Sequence, residues 1–221
     1  CVFSSAKKSW GPSPPSPILY AWRRPTLKHD LRIDGFAFRL RPVDEDDAER
    51  MVELRTQPEL NKFLPTISPD PEVQRAYIRD YFERPGDFYF MVERISNGHA
   101  EGNIAVYDVD EENRCAEWGR WILEAHSPAA IESAWLVFRV AFEILDLDYL
   151  YCRTNVENRQ TVSFHDSCGL SRQRTLSNFI ELNGVPYDAI EHRLNRQSWH
   201  NVDANLRSKS DMVSKILLRG A

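Results

Sequence analysis

The stretch Ala129-Ala130-Ile131-Glu132-Ser133-Ala134-Trp135-Leu136-Val137-Phe138-Arg139-Val140-Ala141-Phe142-Glu143-Ile144-Leu145 decides the fold. Its three charged residues, Glu132, Arg139 and Glu143, fall on one narrow stripe at helical spacing, and the rest is almost wholly apolar. A helix with so little polar surface lies against a sheet, with little of its circumference in water. Strand-like segments flank it, 116–123 before and 149–154 after, which makes a strand-helix-strand unit. Further upstream, 88–93 and 102–109 read as strands joined through Ser96-Asn97-Gly98, a hairpin signal.

Working outward, 36–40 reads as a strand ended by Pro42. The acids Asp44, Glu45, Asp46, Asp47 and Glu49 sit where a helix begins. They complement the positive end of its dipole, which makes them structural rather than metal-binding. That helix ends near Pro58, and a second runs from Ser68-Pro69-Asp70-Pro71 to about Arg84. Downstream, 159–167 is a short helix closed by Gly169, and two strands cover roughly 172–182 and 185–194. The order β-α-α-β-β-β-α-β-α-β-β is a mixed α/β domain and not a doubly wound one.

The chain has 221 residues and is 42% hydrophobic and 11% aromatic, enough for one sizeable core. A net charge of −5 argues against a general nucleic-acid binder, and no apolar run approaches the roughly 18 residues a membrane span needs. No nucleic-acid or membrane partner is expected. Cys1, Cys115, Cys152 and Cys168 form no close pair of the zinc or redox kind, so they read as free thiols of a reducing, cytoplasmic compartment. Residues 1–32 carry five prolines and six Lys/Arg against one acid. They read as a poorly ordered basic leader rather than a targeting segment or a nucleic-acid arm. The domain is expected over 33–200, with 201–221 a tail or short helix.

The order of elements, together with three motifs, resembles the GNAT family of acyl-CoA-dependent N-acetyltransferases over about residues 36–200. The first is Glu117-Trp118-Gly119-Arg120-Trp121-Ile122-Leu123, similar to the family's central strand, which splays from its neighbour and hydrogen-bonds the pantetheine arm. The second, Asn158 to Leu170, is similar to a later segment in which Asn is followed by a Phe-Tyr or Phe-His pair and Gly-Phe. The third, Tyr187 to Leu194 with Trp199, resembles the ending of the branch that acetylates amino sugars and ribosomal-protein N-termini. The resemblance implies a mostly antiparallel central sheet flanked by helices. It also implies acetyl-CoA as cosubstrate, with Trp121, Ile122, Leu123, Ala129, Ala130, Ile131 and Asn158 on the cofactor.

One segment departs from the family pattern. The pyrophosphate loop of the family is Arg/Gln-x-x-Gly-x-Gly/Ala, whereas this chain has His126-Ser127-Pro128-Ala129-Ala130-Ile131-Glu132 and no glycine. Glu132 in the first helical turn either faces the pyrophosphate as a like charge or points outward along the stripe with Arg139 and Glu143.

Acetyl transfer needs a neutral amine, a polarised thioester and a proton for the leaving thiolate. Strict alternation puts Cys115, Glu117, Gly119 and Trp121 on one face of the central strand, with Trp118 and Arg120 on the other. Glu117 is a candidate general base, or a strand acid paired to an arginine. His165 stands where relatives carry a tyrosine near the CoA sulfur, as the thiolate's proton donor or a packing residue. Asn158 holds the pantetheine amide, caps the short helix, or does both. Cys168 reads as a buried small hydrophobe. The aromatics from Tyr77 to Phe90 read mostly as core, and none is named as a ligand. His192 and His200 lack metal-like partners, so no metal is expected.

The resemblance implies transfer of an acetyl group from acetyl-CoA to a primary amine of a small molecule, a nucleotide-linked amino sugar foremost. The alternatives are an N-terminal protein acetyltransferase and a non-catalytic GNAT-like binding module. A monomer or a homodimer is expected.

Overall fold

The structure, a computed structural model, describes residues 28–219. One eight-stranded sheet in the order β1-β2-β3-β4-β5-β6-β8-β7 carries the fold. Its strands are β1 (Ile33–Asp34), β2 (Phe38–Pro42), β3 (Phe88–Arg94), β4 (Ala100–Asp110), β5 (Cys115–Leu123), β6 (Tyr149–Asn155), β7 (Ser171–Leu182) and β8 (Val185–Asn195). Every pairing is antiparallel except β5 with β6. This parallel pair is the one that the strand-helix-strand unit predicts, because a parallel neighbour requires a crossover.

Three helices, α1 (Ala48–Thr56), the single turn α2 (Pro58–Asn61) and α3 (Pro71–Phe82), follow β2. Asp44 accepts from Asp46 N in a capping box closed by Asp47, and Asp47 also takes two nitrogens of Arg41 at 2.6 and 2.8 Å. The acidic cluster is thus structural. Met51, Ile78, Tyr81, Tyr89, Met91 and Ala105 form the smaller core beneath these helices.

The opposite face of the sheet carries the main core. Here α4 (Ala130–Arg139) buries Ala134, Leu136, Val137 and Phe138 on Phe90, Ile104, Val106 and Trp118. The helix widens into a π turn over Val140–Ile144, with Leu145 N bonding to Val140 O at 2.9 Å, instead of running on as a regular helix. Beside it lie α5 (Arg159–Ser167) and α6 (Arg196–Arg219).

The segment after residue 200, expected as a tail or short helix, is most of the long, 24-residue α6. Its i, i+4 positions Val202, Leu206, Ser210 and Ser214 are buried, and Trp135 Nε1 donates to Asp203 at 2.7 Å. Most of the leader lies outside the described residues. Its last residues, though, belong to the domain. The His29 ring sits 4.8 Å from that of Phe90, Leu31 packs on the main core, and Lys28 donates to Tyr81 O. Among the described residues, no helix is long and apolar enough to cross a membrane, and Cys115, Cys152 and Cys168 are free and buried.

Candidate active site

The site follows from two irregularities of β5. Its ladder with β6 lasts three residues, Cys115↔Tyr149, Ala116↔Leu150 and Glu117↔Tyr151, and then the strands part. Beyond Glu117, the β5 backbone groups facing β6 have no ladder partner there. On its other edge β5 bulges against β4. Between the pairs Ala105↔Gly119 and Asn103↔Ile122, β5 contributes an extra residue, and Arg120 takes a left-handed φ of 45°. Asn103 Nδ2 donates to the displaced Arg120 carbonyl at 2.6 Å. Gly102 then lies so close to β5 that a Cβ would sit 2.0 Å from the Ile122 oxygen.

The bulge corrects the expected alternation. Arg120 lies on the Glu117 face, its guanidinium 4.4 Å from the Tyr107 ring centre and bonded to Asp87 at 2.7 Å. Trp121 crosses to the Trp118 face, with the two rings 5.8 Å apart. Trp121 Nε1 donates to Ser133 Oγ at 3.2 Å, which ties the strand to α4.

A cleft of about 160 Å³ fills the opening between β5 and β6. Trp118, Trp121, Asn158, Thr161 and His165 line it on one side of the sheet, and Arg153 and Phe63 border it on the other. A second cavity of about 450 Å³ shares Phe63 and carries Lys62, Glu157 and Tyr187.

Residues 38–171, more than half of the chain, match the family described as Acetyltransferase (GNAT) domain. The chain belongs to the GNAT acetyltransferase family. "Putative ribosomal N-acetyltransferase YdaF" of Bacillus subtilis (strain 168) is 25% identical over 169 residues, 72% of this chain and 92% of that protein. Among solved structures, apo FdhC, described as a nucleotide-linked sugar GNAT, is 25% identical with a TM-score of 0.68, covering 80% of this chain and 97% of its own. A GCN5-related N-acetyltransferase from Brucella melitensis gives a TM-score of 0.72 at 15% identity, over 81% and 85% of the two chains, and supports the fold alone.

Of the GNAT positions expected to touch cofactor, Trp121 and Asn158 line the cleft. Asn158 also caps α5, accepting from Thr161 N at 3.3 Å. Ile122, Leu123, Ala129, Ala130 and Ile131 do not line it. They form the end of β5 and the start of α4, with Ile122 and Ala129 buried in the core. The loop without glycine turns through His126 at a φ of 64°, and α4 begins with no side-chain cap on its first amides. Those amides suit an anion.

Glu132 is in neither of its expected places. It is buried, and it accepts the backbone N–H groups of Phe36, Ala37 (3.0 Å) and Phe38 (3.3 Å) at the turn into β2. Burial raises its pKa despite these bonds.

Glu117 is buried and accepts from Arg153 Nη1 at 2.9 Å, so it is a strand acid paired to an arginine. Burial raises its pKa more than Arg153 lowers it. A carboxylate so placed is a stronger base than an exposed one. His165 is also buried, at the cleft floor, and desolvation lowers its pKa to about 3, with His192 adding to the effect. The ring therefore reaches the cleft uncharged. It offers an N–H as a hydrogen-bond donor, rather than a proton to the thiolate as the motif led us to expect. Cys168 is buried, its thiol pushed up to about 11, which makes it an inert packing group.

Sequence reasoning missed Arg153, Thr154 and Cys152 of β6, and His192 of β8. Alternation along 149–155 would have put Cys152 and Thr154 on one face, but only the strand pairing Cys152↔His192 brings the two elements together.

Proposed function

We propose that the chain transfers an acetyl group from acetyl-CoA to the primary amine of a small molecule. The observation that carries this is the parting of β5 and β6 beyond Glu117 and Tyr151, over a cleft lined by Trp121, Asn158 and His165. The unpaired edge of β5 offers the pantetheine arm alternating backbone donors and acceptors, and the first amides of α4 receive the pyrophosphate. The thioester carbon sits in the gap. As the amine nitrogen bonds to it, Glu117 accepts the amine proton through water, and the carbon–sulfur bond breaks to release CoA. His165 donates its N–H to the departing sulfur, and bulk water supplies the final proton. We place this chemistry in the cytoplasm, in keeping with the free described cysteines.

A nucleotide-linked amino sugar is the first acceptor class. The larger cavity, within the usual range for small-molecule sites, offers Lys62 to a phosphate and Tyr187 and Phe63 to flat or apolar groups. The likeness to the nucleotide-linked sugar GNAT supports the same class. The likeness to a ribosomal N-acetyltransferase supports a second reading, the α-amino group of a protein. Release of CoA thiol from acetyl-CoA decides between them, measured with nucleotide-linked amino sugars, N-terminal peptides and spermidine. Turnover with the first class alone supports the reading. Turnover confined to peptides replaces the acceptor, and CoA binding without turnover on any amine makes the chain a binding module.

A further inference from the structure

Behind the cleft floor, three side chains that sequence spacing keeps far apart converge in the interior. Cys152 of β6 and His192 of β8 are cross-strand partners, and α5 lays His165 over both. All three are buried, and their ligand-type atoms lie within 4.8 Å of one another. Cys152 Sγ is 3.4 Å from His165 Nδ1, and the rings of His165 and His192 have centres 5.3 Å apart. His192 supplies the observation that packing does not explain. Its side chain is wholly enclosed, its Nε2 meets Asp166 Oδ1 at 3.2 Å, and its Nδ1 has no hydrogen-bond partner.

We propose that Cys152, His165 and His192 form a binding site for a borderline-soft divalent metal ion of the zinc class. One sulfur and two imidazole nitrogens are the donor set that such ions favour over calcium or magnesium. Tetrahedral coordination separates ligand atoms by roughly 3.3–3.6 Å, from metal–nitrogen and metal–sulfur bonds of about 2.0–2.3 Å. The Cys152–His165 pair already meets that spacing, and the third contact closes by about an ångström through side-chain rotation. Asp166 completes the arrangement from behind. By accepting from His192 Nε2, it leaves the buried, unpartnered Nδ1 as the free lone pair, the carboxylate–histidine–metal arrangement that fixes a ligand's tautomer. Cys152 and His165 both line the cleft, which gives the ion its entry path and leaves the fourth position for water. Binding replaces the thiol proton by the metal, so one proton leaves to solvent for each ion taken up. The absence of any expected metal in the sequence has a plain cause: the ligands stand 13 and 27 residues apart and meet only through sheet register.

The test uses the full chain, stripped with chelator, and cobalt(II) and zinc as probes. Equilibrium dialysis should give one ion per chain, and cobalt(II) should develop tetrahedral visible bands with a thiolate charge-transfer band in the near ultraviolet. Zinc should displace it and raise the melting temperature. Cys152→Ser should abolish the charge-transfer band, and Asp166→Asn should weaken binding about 10- to 100-fold. Asp166 is partly exposed, so Asp166→Asn keeps the test open if Cys152→Ser fails to fold. No stoichiometric uptake, binding without the thiolate band, or affinity unchanged in Asp166→Asn would each overturn the proposal. None of these readouts depends on acetyl transfer.

Discussion

Glu132 offers the sharpest contrast between an electrostatic reading of the sequence and the packing of the chain. Its carboxylate holds three backbone N–H groups, those of Phe36, Ala37 and Phe38. Phe36 is 39% exposed, so water can replace the carboxylate there, whereas Phe38 is fully enclosed and Ala37 half-buried. In Glu132→Ala two amides lose their acceptor where water cannot easily follow. At about 1–3 kcal/mol for each stranded group, the loss is about 2–6 kcal/mol. For a domain of this size that lowers Tm by roughly 4–24 °C. Glu132→Gln keeps one acceptor oxygen but puts an amide nitrogen at or near Oε2, which is buried without a partner, so it loses about 1 kcal/mol.

The pH dependence has a definite sign. Burial raises the folded pKa of Glu132, so its contribution is full below the ordinary glutamate value of about 4.3 and is lost as pH rises through the raised value. The Gln variant does not titrate, so its Tm deficit relative to wild type should shrink between pH 4 and pH 7. CoA affinity should stay within about twofold, since the carboxylate faces β2 rather than the first turn's anion site. The assay is thermal melting at both pH values with CoA titration at low salt. A Gln variant with wild-type Tm throughout and several-fold tighter CoA binding would refute this reasoning and return the carboxylate to the phosphate site.

Glu117→Gln should lower kcat/KM by about 10²–10⁴-fold and remove the acidic limb of its pH profile. In wild type that limb should lie above the ordinary glutamate range, because burial raises Glu117; a limb unmoved in the variant assigns it to another group. A chain starting at Lys28 should melt like the full chain, and one starting at Ile33 several degrees lower, because it lacks His29 and Leu31; equal Tm values for the two would contradict the packing seen. Burial lowers His29 to about 4, so the unfolded chain binds the extra proton between about pH 6.5 and 4 and stability falls as pH drops through that window. His29→Gln should flatten part of that slope in melting curves, and an unchanged slope would place the titration elsewhere.

Much of the architecture was legible because its signals are local. The apolar helix over 129–145, the turns around Gly98 and the flanking strands each declare themselves within a dozen residues, and they assemble into the parallel β5–β6 pair. What escaped was non-local. The β5 bulge rests on Arg120 adopting a conformation that no glycine advertises, so strict alternation put Trp121 on the wrong face. The partners of Glu132 lie 94 to 96 residues earlier, and an acid in an apolar helix looks solvent-facing until they are seen. The C-terminal helix hid its buried stripe behind serines at 210 and 214. In the cleft, Asn158 and His165 were expected from motif. Arg153 and the Cys152–His192 pair were not, because register brings them together and motif does not.

The most direct measurement is isothermal titration of CoA into the wild-type chain and into Trp121→Ala. Trp121 lines the cleft, is braced by Ser133, and is supplied by the part of β5 that has left β6. The account predicts one saturable site per chain in wild type, in the roughly micromolar-to-millimolar range common for enzyme substrates. It predicts about tenfold weaker binding in the variant, a loss of about 1.4 kcal/mol. An absence of saturable heat in wild type, or identical affinity in Trp121→Ala, would contradict the claim that acyl-CoA occupies the gap between β5 and β6.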